Sequence, residues 1–257
     1  MTTLNSRDAL PISWLRPEWP APPRVRACTT TRLGGVSEGP YASLNLAGHV
    51  GDDGTHVLEN RRRLNTALHL PGEPLWLQQV HGVAAVDAGC GEPECEADAS
   101  YTWHRDVVCA VLTADCLPVL LCDVDGGVVA AVHAGWRGLL DGVIENTVRA
   151  MDRPGSRVLA WLGPAIGPEV FEVGDEVRAA FVARAPRAAA AFQPTSAGRW
   201  LADIYQLACQ RLGEVGVDAV YGGHWCTVSD PARFYSYRRD RVTGRMASLI
   251  WLDSRDG

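Results

Sequence analysis

The sequence predicts an α/β protein (α+β in its detailed arrangement), with mixed β-sheets flanked by helices in a single domain. Three apolar, β-branched runs at 107–113, 118–122 and 128–132 are typical of strands buried on both faces. Apolar residues recur at helical spacing over 139–151. The chain has 257 residues, of which 47% are hydrophobic and 21% charged, and it is therefore large enough to bury its own core.

The other elements follow in chain order. Five prolines among the first 23 residues predict an extended N-terminal arm over 1–25, followed by a single catalytic domain over 26–257. A helix is expected over 56–69, capped by Asp53 or Thr55 and stopped by Pro71. Further strands are predicted at 76–80, 83–86, 158–162, 217–221, 234–238 and 246–252, and further helices at 169–184 and 201–215. Because strands and helices alternate irregularly, mixed sheets are favoured over a doubly wound parallel sheet.

Charge and hydropathy exclude several classes of partner. The net charge of −6 and the pI of about 5.6 create a field that repels nucleic acid and anionic membranes. No run of 18 apolar residues is present, and the N-terminus does not match a secretion signal. The eight cysteines include several within apolar runs, which is typical of free thiols in a reducing compartment. We therefore expect a cytoplasmic protein, a monomer or weak homodimer, that binds small molecules.

Three segments share one local design, an apolar strand that ends in a residue able to bind a metal. These side chains are His81, Cys116 and His133, separated by 35 and 17 residues. Such intervals are too long for a zinc finger but suit ligands that a folded sheet brings together. Two imidazoles and one thiolate with an open fourth position are typical of a catalytic zinc site. On spacing alone, each histidine is equally explained as a hydrogen-bonded core residue.

A second group of potential metal ligands lies between His81 and Cys116 in the sequence. Cys90 and Cys95 precede His104 and Cys109. Their intervals do not match those of zinc knuckles, and Cys109 falls inside an apolar strand. We interpret this segment as a loop with incidental thiols.

Longer motifs then identify a resemblance. The stretches TTTRLGGVSEGPYASLNLAGHVGDD, WLQQVHG, TADCLPVLL, AAVHAGWRG, WLGPAIGP, GGHWCT and TGRMASLIWL together resemble the purine nucleoside phosphorylase family formerly called polyphenol oxidase or laccase-domain proteins. The resemblance runs from about residue 28 to the end. It implies one α/β domain with one Zn²⁺ ion, rather than copper, on His81, Cys116 and His133. It also implies phosphorolysis of adenosine, inosine, guanosine and methylthioadenosine, with adenosine deaminase as a side activity.

Phosphorolysis requires a site for phosphate. Arg137 follows a strand at the start of a helix, where it can bind phosphate together with the N–H groups of that helix. Arg32, Arg238 and Arg239 are further candidates, although each is equally explained by a surface ion pair.

Other residues are candidates for the same pocket. Asn45 and Cys226 are expected to bind substrate, with a capped turn and a buried thiol as their respective alternatives. Asp115 precedes the proposed ligand Cys116, and it is expected to orient a histidine N–H and so to act in catalysis with Cys116, His133 and Arg137. Trp136 or Tyr237 can stack on a purine or simply pack the core.

Three other functions are alternatives to the zinc-dependent phosphorylase that the resemblance implies. A multicopper oxidase needs many histidines, often in His-x-His pairs, whereas this chain has seven histidines and no such pair. A metal-free hydrolase would use Cys116 as nucleophile and His133 as base on an amide or ester of a small cell-wall precursor. A scaffold with structural zinc would need a fourth ligand, for which Cys226 or His224 is the obvious donor.

Overall fold

The largest sheet has six strands, and one of the candidate metal ligands, His133, lies on it. The structure is a computed structural model that describes residues 11–196 and 198–256. The strands lie in the order β12, β8, β6, β7, β4, β3, and they comprise β3 (Ala85–Asp87), β4 (Ala99–Thr102), β6 (Leu117–Asp123), β7 (Val129–Ala134), β8 (Val158–Leu162) and β12 (Ala219–Gly222). Pairing is parallel at both edges and antiparallel at the centre, which confirms a mixed sheet.

A second, fully antiparallel sheet lies against the first. Its order is β1, β2, β13, β5, and its strands are β1 (Trp14–Leu15), β2 (Val25–Thr30), β5 (Val108–Thr113) and β13 (Met246–Leu252). Within the predicted arm, residues 14 and 15 thus pair with β2. Residues 1–10 of that arm lie outside the described residues.

Six α-helices, four short 3-10 helices and a small sheet are the other regular elements of the described chain. The helices are α1 (Gly54–Leu68), α2 (Trp136–Asp141), α3 (Val143–Ala150), α4 (Asp175–Arg184), α5 (Ile204–Glu214) and α6 (Tyr237–Asp240). A three-stranded antiparallel sheet is formed by β9 (Glu172–Gly174), β10 (Phe192–Ser196) and β11 (Arg199–Ala202). No helix among the described residues is long and apolar enough to cross a membrane.

Alternating side chains divide the core into layers. On β6, Val119 and Leu121 face the helical side of the six-stranded sheet, whereas Leu120 and Cys122 face the four-stranded sheet. The other face of the four-stranded sheet packs against Leu64 of α1. The result is a helix–sheet–sheet–helix arrangement in one domain, in which β6 and β7 are buried on both faces as their continuous apolar runs predict.

The predicted strand at 76–80 is wrong, and a side chain explains why. This segment makes only an isolated bridge, between Gln78 and Glu96, within the described residues. The amide of Gln79 instead accepts from the backbone N–H of Leu112 at 2.7 Å and donates to its carbonyl at 2.8 Å. Because this side chain occupies the backbone N–H and C=O of Leu112, the backbone of residues 78–80 does not pair with β5 as a strand.

Capping residues account for the other differences. The predicted strand at 234–238 is wrong: residues 234–236 belong to no strand, and the Ser236 hydroxyl accepts from the Arg239 N–H and starts α6. The predicted helix at 201–215 begins at Ile204, where Asp203 caps it, and residues 199–202 form β11. Gly142, with φ of 105°, divides the helical run at 139–151 into two helices.

Candidate metal centre

Three side chains from distant parts of the sequence converge at one end of the six-stranded sheet. The ligand atoms of His81, Cys116 and His133 all lie within 4.8 Å of one another. Cys116 Sγ is 3.7 Å from His81 Nε2, and the two imidazole rings are 4.8 Å apart with their planes at 73°. Among the residues that the structure describes, this is the one group of three or more such ligands. The cysteine-rich segment at 90–109 does not form a second one.

The backbone positions the three ligands differently from the shared design that the sequence suggests. Only His133 lies near the end of a strand, β7. Cys116 precedes β6 and follows Asp115, whose φ is 90°, in the tight turn from β5. His81 lies in a loop with φ of 61°, a left-handed conformation that needs local support in a residue other than glycine. The expectation that each ligand ends a strand is therefore wrong for His81 and Cys116.

Asp98 supplies that local support and connects two of the ligands. Its carboxylate accepts hydrogen bonds from the backbone N–H groups of Val80, His81 and Gly82 at 2.6–3.2 Å. The same carboxylate accepts from His133 Nδ1 at 2.7 Å. Asp98 is fully buried, so these bonds fix both the loop and the ring, and they turn Nε2 of His133 toward the cluster.

A glycine leaves room for the cluster. A Cβ atom at Gly135 would lie 2.8 Å from His81 Cδ2 and 3.2 Å from Cys116 Sγ. Gly135 has ordinary extended dihedral angles (φ −63°, ψ 157°), so its role here is to allow this close approach. It therefore forms one wall of the ligand group.

The charges around Cys116 favour its thiolate, which is the form of cysteine that binds a metal. Burial alone would raise the pKa of Cys116, but its contacts with His133 and His81 lower that pKa from 9.0 to about 6. For His133, burial acts to lower the pKa, but Cys116 and Asp98 raise it to about 9. The pKa of Asp98 is lowered even though burial opposes this, chiefly because the carboxylate bonds to His133. Near neutral pH these shifts favour a thiolate at Cys116 beside an imidazolium at His133.

The donor set fits zinc. A tetrahedral centre with Zn–S of about 2.3 Å and Zn–N of about 2.1 Å places sulfur and nitrogen about 3.6 Å apart. The observed 3.7 Å between Cys116 Sγ and His81 Nε2 agrees with this value. One thiolate and two imidazoles, with an oriented second ring nitrogen on His133, are also the ligand types that zinc prefers.

A cavity of about 400 Å³ opens from the cluster toward solvent. Its walls carry Gln79, Leu112, Thr113 and Ala114 in addition to the ligands, with His49, Tyr237 and Arg245 as the larger polar groups. The ring of Tyr237 is 51% exposed, so an apolar, planar surface remains open at this cavity. A flat molecule with polar substituents can therefore approach the ligand cluster through it.

Asp115 does not have the expected role. Its carboxylate accepts from the Thr227 hydroxyl at 2.6 Å and from the backbone N–H of Arg238 at 2.6 Å. These bonds tie the turn before Cys116 to the loop at 222–230 and to α6. The carboxylate that orients a histidine is that of Asp98, which sequence reasoning missed.

Two of the predicted substrate-binding residues serve the structure of the loop at 32–45. The Arg32 guanidinium donates to the carbonyls of Ala42 and Pro231 and lies over the Tyr235 ring. Asn45 is fully buried, and its side chain bonds to Ala47, to Asp52 and to the backbone N–H of Arg245. Asn45 therefore lies behind the cavity wall, where it bonds to the backbone of the wall residue Arg245.

The remaining candidates lie outside the cavity as the described residues define it. Arg137 is exposed, with its guanidinium over the Trp136 ring. The Arg238 guanidinium donates to the carbonyl of Glu172. Cys226 lines a separate cavity of about 360 Å³ together with His224, and its Sγ accepts from the Gly167 N–H and the Ser229 hydroxyl.

Sequence reasoning also missed His49 and Arg245. Arg245 belongs to the TGRMAS motif and directly precedes the apolar strand β13, which places a cation beside a buried element. An unpaired charge in such a position is a signal for a site, because burying it without a function is costly. His49 offered no comparable signal, since it lies in a glycine-rich loop.

Comparisons with known proteins show which family the chain belongs to. The family model described as multi-copper polyphenol oxidoreductase laccase matches residues 26–253. The purine nucleoside phosphorylase PA4543 of Pseudomonas aeruginosa is 58% identical over 241 residues, which are 93% of this chain and 98% of that protein. The purine nucleoside phosphorylase YfiH of Escherichia coli is 56% identical over 92% of this chain and 97% of its own length.

Solved structures show the same fold. The Neisseria meningitidis protein NMB0706 superposes with a TM-score of 0.91 at 50% identity, covering 94% of this chain and 99% of its own. YlmD from Geobacillus stearothermophilus superposes with a TM-score of 0.85 at 31% identity and 98% coverage of both chains. The protein therefore belongs to the laccase-domain family that includes these purine nucleoside phosphorylases, as the sequence motifs indicate.

Proposed function

We propose that the chain is a zinc-dependent purine nucleoside phosphorylase. It would convert adenosine, inosine or guanosine, and methylthioadenosine, with phosphate into the free base and the pentose 1-phosphate, and it would deaminate adenosine as a side reaction. The observation that carries the proposal is the convergence of His81, Cys116 and His133 at one end of an open cavity. The 58% identity to a purine nucleoside phosphorylase over 93% of the chain supports the choice of substrate.

The chain's own residues divide the work of binding and orientation. His81, Cys116 and His133 would hold one Zn²⁺ ion, which supplies Lewis-acid chemistry at neutral pH. Asp98 keeps the His133 ring in one tautomer and orientation. The exposed ring of Tyr237 offers a stacking surface for the purine, which places the sugar toward the interior of the cavity. In phosphorolysis a phosphate oxygen bonds to C1′ while the bond from C1′ to the base nitrogen breaks.

The test is an assay of purified, zinc-loaded protein with adenosine, inosine and methylthioadenosine. Free base is expected only when phosphate is present, and inosine is expected from adenosine without phosphate. The variants His81→Ala and Cys116→Ser should lose both zinc and activity. Full activity and full zinc content in either variant, or no base released from any of the three nucleosides, would refute the proposal.

A second candidate is a cysteine hydrolase that acts without metal on an amide or ester of a small cell-wall precursor. The thiolate of Cys116 beside the imidazolium of His133 favours it, since such a pair is an activated nucleophile with its acid. Chelation separates the two candidates. Activity that survives zinc removal and is abolished by iodoacetamide supports the hydrolase, whereas activity lost on chelation and restored by zinc supports the phosphorylase.

A further inference from the structure

Arg245 places a positive charge in the wall of the metal cavity. Its side chain is half-buried, and it lines the cavity together with the three candidate ligands. Two hydrogen bonds from its Nη1 go to the carbonyls of Thr243 and Gly244, at 2.9 and 3.0 Å. Within residues 11–196 and 198–256, its Nε and Nη2 donate to no acceptor, and no carboxylate lies within ion-pair distance of the guanidinium. The N–H groups on Nε and Nη2 of this cavity-lining guanidinium are therefore available to a ligand.

The surrounding chain holds this arginine in place. The buried side chain of Asn45 accepts from the backbone N–H of Arg245 at 3.0 Å. A Cβ atom at Gly244 would lie 2.7 Å from the Tyr235 ring and 2.9 Å from Asn45 Cβ, so the absence of a side chain there allows the loop to pack closely. The guanidinium carbon is 5.9 Å from the Tyr237 ring centroid. The fork is thus fixed before any ligand arrives, which lowers the entropic cost of binding.

The charges around Arg245 leave it without a dedicated partner. The negative charges that act most strongly on Arg245 are those of Cys116 and Asp115. Cys116 belongs to the ligand cluster, and the Asp115 carboxylate already bonds to Thr227 and Arg238. The imidazole of His49 adds a further polar group to the same wall. A half-buried cation with open donors in a protein of net charge −6 is a local feature, not a result of overall charge.

We propose that Arg245, assisted by His49, binds a phosphate dianion beside the metal ligands. The ligand is inorganic phosphate or the phosphate group of a pentose 1-phosphate, because a planar guanidinium fork matches the geometry of phosphate oxygens. This choice of ligand rests on the proposed function. Phosphate at Arg245 would lie in the same cavity as a nucleoside stacked on Tyr237, as a bimolecular displacement requires. Asn45 is then a positioning residue that acts through Arg245.

The experiment is a calorimetric titration of inorganic phosphate into zinc-loaded protein, with no nucleoside present. Four proteins are compared: wild type, Arg245→Gln, Arg245→Lys and Arg137→Gln. Arg245→Gln should weaken phosphate binding at least about tenfold, and Arg245→Lys should recover part of the loss because it retains the charge but not the fork. Arg137→Gln is the matched control, because it removes an exposed arginine outside the cavity and should bind like wild type. Zinc content, measured on each protein, should stay at one equivalent.

Several results would overturn the inference. These are wild-type protein that binds no phosphate at millimolar concentrations, an unchanged affinity in Arg245→Gln, a loss in Arg137→Gln of equal size, or a loss in Arg245→Gln that tracks a loss of zinc. The last result would mean that Arg245 acts only on the Cys116 thiolate. If phosphate binds through Arg245 but no nucleoside is cleaved, the proposed function fails and this inference stands. If nucleoside is cleaved but Arg245→Gln binds phosphate as tightly as wild type, the proposed function stands and this inference fails.

Discussion

Asp98 accepts a hydrogen bond from Nδ1 of His133 at 2.7 Å, and both side chains are buried. Because the same carboxylate also holds the backbone of the loop at 80–82, one residue controls the orientation of two of the three candidate metal ligands. Residues of this kind typically account for tenfold to hundredfold in metal affinity. The relationship leads directly to a mutational test.

Asp98→Asn should lower the affinity for zinc by roughly tenfold to hundredfold, because an amide accepts the backbone N–H groups less strongly and places a donor near His133 Nδ1. A chelator competition assay measures the affinity, and circular dichroism checks the fold. Asp125→Asn is the control, since that exposed residue lies in the turn at the opposite end of β6 and β7. Equal zinc affinity in Asp98→Asn and wild type would contradict the assigned role.

Gly135→Ala tests the space around the ligands. The added Cβ would lie 2.8 Å from His81 Cδ2, so His81 has to move, and zinc affinity should fall at least about tenfold while the fold persists. Gly213→Ala is the control: nothing lies within 4 Å of its Cβ position in α5, and the change should stabilise the helix by about 1 kcal/mol. Thermal unfolding and zinc stoichiometry measure both effects. A Gly135→Ala protein with undiminished zinc affinity would show that the cluster has more room than described.

The thiolate of Cys116 should be visible in zinc-stripped protein. Since its pKa is lowered from 9.0 to about 6, alkylation by iodoacetamide should accelerate from about pH 5 to 7 and level off above that range. The thiol is protonated and slow below this pKa, and it is ionised and fast above it. Cys28 and Cys109 are buried with pKa values raised to about 12, so they should remain unlabelled in the folded protein. Mass spectrometry locates the label, and a midpoint near pH 9 for Cys116 would contradict the assignment.

A buried ion pair should dominate the stability of the helical layer. Arg211 of α5 pairs with Glu145 of α3, and it also bonds to Glu214 at 3.0 Å. Burial raises the pKa of Glu145 and lowers that of Arg211, so neither charge is tolerated well without its partner. Arg211→Met should therefore lower the free energy of unfolding by about 3–5 kcal/mol.

The control for this prediction is Arg187→Met. That arginine also pairs with Glu214, but its side chain is 53% exposed, compared with 5% for Arg211, so its loss should cost less than about 1 kcal/mol. Urea denaturation of both variants gives the comparison. Equal, small losses in the two variants would show that the buried pair contributes no more than an exposed one.

Tyr237→Ala tests the stacking surface on which the proposed function relies. Loss of the ring should raise the KM for inosine by about fivefold, which corresponds to the ~1 kcal/mol that aromatic contacts contribute. Tyr237→Phe should keep the wild-type KM, because the ring and not the hydroxyl makes the contact. Steady-state kinetics at saturating phosphate provide the measurement. A KM that rises equally in both variants would assign the effect to the hydroxyl instead.

The elements that packing determines were predictable from the sequence. The continuous apolar runs of β5, β6 and β7 and the cap at Asp53 are visible in the chain, because burial and capping act over a few residues. The path of residues 76–80 was not, since it depends on the side chain of Gln79 bonding to a strand 33 residues away. Such a substitution of a side chain for a strand has no local signature.

The site residues also divide into those that the local sequence identifies and those that only the folded chain brings together. His81, Cys116 and His133 were identified because their chemistry and their motifs are distinctive. The partners of these residues are not distinctive in sequence: Asp115 is adjacent to Cys116 in the chain but bonds to Thr227, whereas the distant Asp98 bonds to His133. Arg245 does not stand out in the sequence, because four other arginines, Arg32, Arg137, Arg238 and Arg239, lie in equally suggestive motifs. Only the folded chain distinguishes the arginine that lines the cavity from those on its outside.

Zinc K-edge X-ray absorption of the purified protein measures the identity and number of the metal's ligands. We expect one equivalent of zinc bound by one sulfur at about 2.3 Å and two imidazole nitrogens at about 2.1 Å, with a light, exchangeable atom in the fourth position. Loss of the sulfur signal in Cys116→Ser would complete the assignment. A spectrum with two or more sulfur ligands, or with no sulfur, would contradict the claim that His81, Cys116 and His133 form an open catalytic centre.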